Sequence, residues 1–129
     1  MQEKRLSLGL LWLRVIAGAG IAYHGYGKVF GGQMPMMIEG VGKMGFPMPV
    51  VFAWAAALSE FLGGILWVLG LGTRFAALFV LITMSVAAFI THAKDPLQVK
   101  ELALAYWAIS GALLFTGAGS FSFDKKFKK

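Results

Sequence analysis

Glu60 is the only acidic residue between Pro47 and Lys94, in a stretch otherwise apolar enough to dissolve in lipid. Hydrocarbon can solvate neither the charge nor the lone pairs of a carboxylate, so Glu60 must be paired, protonated or turned toward a wet cavity. Arg14 presents the same problem with the opposite sign inside the first apolar stretch. At ~1.5 Å rise per residue, Glu60 falls near the middle of its stretch and Arg14 about one turn nearer the far side, an offset an arginine can cover. A Glu60–Arg14 pair across two helices is therefore expected. It can act as a fixed ion pair that sets helix register, or as a protonatable, ligand-orienting pair in the core. Gly63 and Gly64 share a helix face with Glu60, and Gly18 follows Arg14 at four residues. These small residues either let helices pack closely or leave room for a flat ligand beside a charge.

His24 and Lys28 are four residues apart and share a face at the end of the first apolar stretch, while His92 ends the third. Two histidines on separate helices can ligate haem or a divalent metal, but interfacial imidazoles more often belong to a hydrogen-bonded belt, and no metal site is expected. Tyr23, Tyr26, Tyr106 and Trp107 fit an aromatic belt, with Tyr106 also able to donate a hydrogen bond to Glu60 or to a ligand carbonyl. Without cysteine there is no disulfide and no thiolate chemistry. The methionines suit adaptable packing better than a soft metal site.

These residues must be positioned by membrane helices. Of 129 residues, 58% are hydrophobic and only 14% charged, which is outside the soluble range, and 17 are glycine. Apolar stretches at approximately 6–29, 49–70, 74–92 and 96–116 each approach the ~20 residues that cross a bilayer. Pro47 and Pro49 suit an entrance to the second and Gly70 to Gly72 its end. Thr73 is the expected N-cap of the third. Asp95, Pro96 and Gln98 read as an N-cap, a first-turn proline and a capping-box amide for the fourth. The long connection 31–48 holds five of the seven methionines and is expected to lie at the interface or dip between helices, as a soft lid over a ligand entrance. Arg14 interrupts the first stretch, so a cleaved signal peptide is not expected.

The fold expected is therefore an all-α integral membrane four-helix bundle of up-down topology, a single domain over 1–129. Lys4, Arg5, Arg74, Lys125, Lys126, Lys128 and Lys129 fall on one side, against Lys28, Lys43, Lys94 and Lys100 on the other, so both termini are expected in the cytoplasm. The net charge of +6 suits anionic lipid rather than nucleic acid.

Several motifs follow in order: Leu13 to Gly18, then Tyr23-His24-Gly25-Tyr26-Gly27-Lys28-Val29-Phe30, Glu60-Phe61-Leu62-Gly63-Gly64, Leu69 to Arg74, and Gly117 to Asp124. Together they resemble the DoxX family of small four-span bacterial and archaeal membrane proteins. The resemblance implies a location in the bacterial or archaeal cytoplasmic membrane. The family name comes from a subunit of an archaeal thiosulfate:quinone oxidoreductase; the thiosulfate activity is not carried over, because the partner subunit is not on this polypeptide. Arg14, His24, Lys28, Glu60 and Arg74 occupy the family's recurrent polar positions. The function expected is that of a membrane subunit or accessory of a redox system, with a site for a quinone or similar flat molecule between the first two spans. Glu60 would exchange a proton, Arg14 would tune it, and His24, Lys28, Gly63, Gly64, Tyr106 and His92 would line the ligand. No cofactor is evident in the sequence, so electrons would come from a redox partner protein, and a homo-oligomer is compatible. A non-catalytic membrane scaffold is the alternative, and a small transporter a weaker one.

Overall fold

A computed structural model describes residues 2–127, and all its regular structure is helical. Lys128 and Lys129, counted above in the basic tail, lie outside the described residues. Six α-helices follow in order: α1 (Gln2–Val29), α2 (Met34–Lys43), α3 (Pro49–Leu69), α4 (Thr73–Val86), α5 (Leu97–Thr116) and the short α6 (Phe123–Phe127). α4 runs on into a π-helical turn, Ala87–Thr91. Among the described residues, three segments are long and apolar enough to cross a membrane: Gln2–Val29, Pro49–Leu69 and Thr73–Thr91.

α1 packs along α3, α3 on α4 and α4 on α5, whereas α1 and α5 touch at few points. Glycine sets the closest of these approaches. A Cβ on Gly64 would come within 2.5 Å of the Gly18 carbonyl oxygen, and one on Gly18 would meet Gly64 O at 2.6 Å. Seven residues further along α1, Gly25 lies against the Phe61 backbone. These contacts fix an antiparallel register in which Gly18 faces Gly64 and Gly25 faces Phe61. Gly63 is filled from the other side by Val80 and Ala76 of α4. Gly63 and Gly64 therefore serve helix packing; they do not open space for a ligand.

Helix ends differ from expectation in two places. α3 does stop at Gly70, which takes the left-handed conformation (φ 70°) while Leu71 N–H returns to Leu66 O, closing the last turn. Thr73, however, lies inside α4. The cap comes from the far end of the chain: Asp124 accepts from Gly72 N–H (2.6 Å) and Thr73 N–H (2.9 Å). A carboxylate offers two oxygens to two orphan N–H groups at the positive end of the helix dipole, which one threonine hydroxyl cannot match. α5 begins at Leu97 with no side-chain cap, because Asp95 has turned to His92.

The connection 31–48 contains a helix, α2, whose Met34 and Val41 are buried with Ala53 and Ala57 of α3. Met34, Met37 and Met44 pack as core against α3, and Met44 Sδ accepts from Thr91 Oγ1 at 3.0 Å.

A carboxylate–ammonium cavity between α1 and α5

The two buried charges do not meet. Arg14 is 1% exposed and Glu60 3% exposed, yet each is satisfied by different groups. Arg14 donates through Nε to Trp67 O (3.0 Å), through Nη1 to Ala118 O (2.7 Å) and through Nη2 to Phe121 O (3.0 Å). Glu60 accepts from Lys28 Nζ with both oxygens, at 2.8 and 2.6 Å. The expected Glu60–Arg14 pair fails because of register. With Gly18 opposite Gly64, Arg14 lies level with Trp67, two turns or roughly 10 Å along α3 from Glu60. Lys28 starts from the end of α1, and its long stem reaches back to Glu60.

Around this pair is a cavity of about 190 Å³. Its polar lining is Glu60, Lys28, His24, His92 and Tyr106, and its apolar lining is Ile21, Met84, Ala87, Leu102 and Ala103. Ile21, His24 and Lys28 follow one another at spacings of three and four, so they form one face of α1. On α5, Leu102 and Ala103 precede Tyr106 by four and three residues, so both share its face. The opening exists because α1 and α5 are spread apart, each held by the helices between them.

Each polar group is positioned by a local device. The π turn closes with His92 N–H donating to Ala87 O (3.0 Å), five residues back, which displaces the chain relative to a regular helix. That turn leaves His92 Nδ1 at 2.8 Å from Asp95 Oδ2, so the carboxylate fixes the orientation of the imidazole. Tyr106 approaches α1 where Gly20 has no side chain; a Cβ there would collide with the Tyr106 hydroxyl. His24 is exposed and meets Tyr23 and Tyr106 edge-on, with ring centroids 6.1 and 6.3 Å away.

The family model for DoxX matches residues 9–93, which include most of α1, all of α3 and α4, and the Lys28–Glu60 pair. The chain belongs to the DoxX family. A Haemophilus influenzae protein described only as uncharacterized is 33% identical over 98% of this chain and 96% of its own length. The inner membrane protein YqjF of Escherichia coli is 30% identical over 98% of both chains. CatD of Bacillus subtilis, named as a candidate oxidoreductase, is 33% identical over 73% of this chain and 67% of its own. No solved structure matches. The apolar helices and this kinship make the chain a multi-pass protein of the inner membrane.

In this DoxX protein the cavity gathers five of the eight residues singled out from sequence: Glu60, Lys28, His24, His92 and Tyr106. Arg14 stands apart, and Gly63 and Gly64 are spent on packing. No residue of the methionine-rich connection lines the cavity, so that segment is not its lid. Three contributors went unread in the sequence: Asp95 as the partner of His92, Gly20 as the seat of Tyr106, and Asp124 as the cap of α4. The spacing of three between His92 and Asp95 was available as a signal, but the apparent capping box at Asp95 competed with it.

Proposed function

We propose that this DoxX protein crosses the inner membrane four times, with α5 as the fourth span and both ends in the cytoplasm, and serves as a membrane component of a redox system. The cavity between α1 and α5 would take a quinone head group or a similarly flat ring. The observation that carries this reading is that cavity itself: a carboxylate, an ammonium, two imidazoles and a phenol converge on one apolar-walled space in a chain otherwise poor in charge. Its volume of about 190 Å³ is below the roughly 300–1,000 Å³ of pockets for drug-sized molecules, which suits one ring and not a polycyclic cofactor.

The chain's own residues suit proton handling at such a ring. Lys28 Nζ can turn from Glu60 to a ligand oxygen, and the Glu60 carboxylate it leaves is then a base within the cavity. Tyr106 and His24 offer donors from opposite walls. His92, oriented by Asp95, offers an imidazole nitrogen to the same space. A quinone supplies the chemistry that joins protons to electrons; the electrons would come from a partner protein. The span count rests on the 20-residue α5 and the polarity on charge. Arg5 and Arg74 belong to the Arg14 end with Lys125 and Lys126, while Lys43, Lys94 and Lys100 belong to the Lys28 end.

A scaffold without catalysis is the second reading. It is favoured by the fact that Lys28 and Glu60 already neutralise one another. Purified protein decides between them: extraction and mass spectrometry should find quinone, and a short-chain ubiquinone should bind in detergent with an affinity that drops in Lys28→Met and Tyr106→Phe. Absence of co-purified quinone, with no binding in the wild type, would leave the scaffold.

A further inference from the structure

A second and larger cleft, about 570 Å³, opens at the Arg14 end of the helices. It is lined by Thr73, Arg74 and Phe75 at the start of α4, by Gly117 to Ser120 after α5, and by Lys125. We propose that it binds the phosphodiester head group of an anionic phospholipid.

Charge is the first argument. Asp124 also borders the cleft, but both its oxygens are engaged by the N–H groups of Gly72 and Thr73, so its charge is offset by the α4 dipole. Arg74 and Lys125 are not offset in this way. Arg74 is exposed, and its one hydrogen bond, from Nη2 to Phe115 O, is long at 3.3 Å. Lys125 is exposed, and among the described residues it is bonded only through its backbone, Lys125 N–H donating to Ser122 Oγ. Among the described residues, the buried Thr73 hydroxyl in the wall has no hydrogen-bond partner.

Surroundings choose lipid over a free anion. Phe75, which borders the cleft, is 65% exposed and continues into Phe79, its ring partner at 5.3 Å on the outer face of α4. Phe115, which precedes Thr116 of the opposite wall, is also exposed. A guanidinium and an ammonium above a strip of exposed aromatic rings match a phosphate with acyl chains descending from it, whereas inorganic phosphate would use only the cations. Arginine suits the phosphate particularly, since its planar fork can meet two oxygens at once.

The test uses the full-length protein in detergent, with phosphatidylglycerol, phosphatidylcholine and inorganic phosphate as separate probes, read by native mass spectrometry and by thermal shift. Phosphatidylglycerol should bind and stabilise, with phosphatidylcholine and phosphate much weaker. Each cation near an anionic head group is worth about fivefold in affinity, so Arg74→Gln with Lys125→Gln should weaken phosphatidylglycerol roughly thirtyfold. Should the double variant not fold, Lys125→Gln alone should lose about fivefold, and Arg74→Lys, which keeps the charge and loses the fork, should lose less than Arg74→Gln. Equal binding of phosphatidylcholine, unchanged phosphatidylglycerol affinity in the variants, or phosphate matching the lipid would each overturn the proposal. None of these residues borders the α1–α5 cavity, so quinone binding is unaffected by either result.

Discussion

The two ends of this molecule solve the same problem, a charge buried in an apolar protein, in opposite ways. At one end Arg14 gives its guanidinium to three backbone carbonyls, from α3 and from the segment after α5. At the other, Glu60 depends on one ammonium whose side chain is 28% exposed. Carbonyls are fixed by the chain, and a planar fork with several donors holds them in one geometry. Such a node ties elements together and cannot exchange partners without unfolding them. A lysine on a flexible stem, bordered by a cavity, can change partner at modest cost. The first arrangement is therefore suited to structure and the second to binding.

The largest effect should come from breaking the Arg14 node. Arg14→Ala leaves three carbonyls without their charged donor, and hydrogen bonds to charged groups are worth ~1.5–3 kcal/mol each, so a loss of about 4 kcal/mol or more is expected. Thermal unfolding in detergent measures it, and protease should cut earlier after Thr116. A mild loss would mean that the node is no stronger than the pair at the other end.

Next is the asymmetry within that pair. Lys28→Met strands a carboxylate that is 4% exposed and should cost about 3 kcal/mol. Glu60→Gln strands a lysine that can reach water, so it should cost only about 1 kcal/mol. Combining the two should restore part of the loss. Combining Glu60→Gln with Arg14→Ala should be additive within about 0.5 kcal/mol, because the residues share no partner. Coupling between Arg14 and Glu60 in that double-mutant cycle would contradict the register described above.

Asp124→Ala removes the cap from α4 and should cost about 1–2 kcal/mol, within the range for N-caps. Unfolding curves would show it, with quinone binding unchanged. The smallest stability effect is expected of Gly20→Ala. The methyl group displaces only the far end of Tyr106, so stability should change by less than about 1 kcal/mol, while the cavity narrows and ring binding falls. If binding persisted at the wild-type level, Tyr106 would not be a wall of the ligand site.

Much of this contrast was legible in the residues. Glu60 and Arg14 stood out because lipid tolerates neither, and His24 with Lys28 was readable as one helix face from a spacing of four. Where polar residues differ from expectation, the difference lies in the partner. Thr73 and Asp95 looked like caps from their neighbours in sequence, yet Asp124 caps α4 from 51 residues away and Asp95 turns to His92. Local motifs list what a residue can do, and several chemically valid partners compete.

By itself the sequence determined that the chain is helical, membrane-embedded and of the DoxX family, and that a few polar residues had to be neutralised inside it. The helices, the membrane and the need for neutralisation follow from composition and periodicity, which act residue by residue, and the family follows from the resemblance of the ordered motifs. Only the tertiary structure decided which charge met which partner. That choice depends on the register of α1 against α3, set by backbone contact at Gly18 and Gly64. A shift of two turns separates an Arg14–Glu60 pair from a Lys28–Glu60 pair that opens onto a cavity.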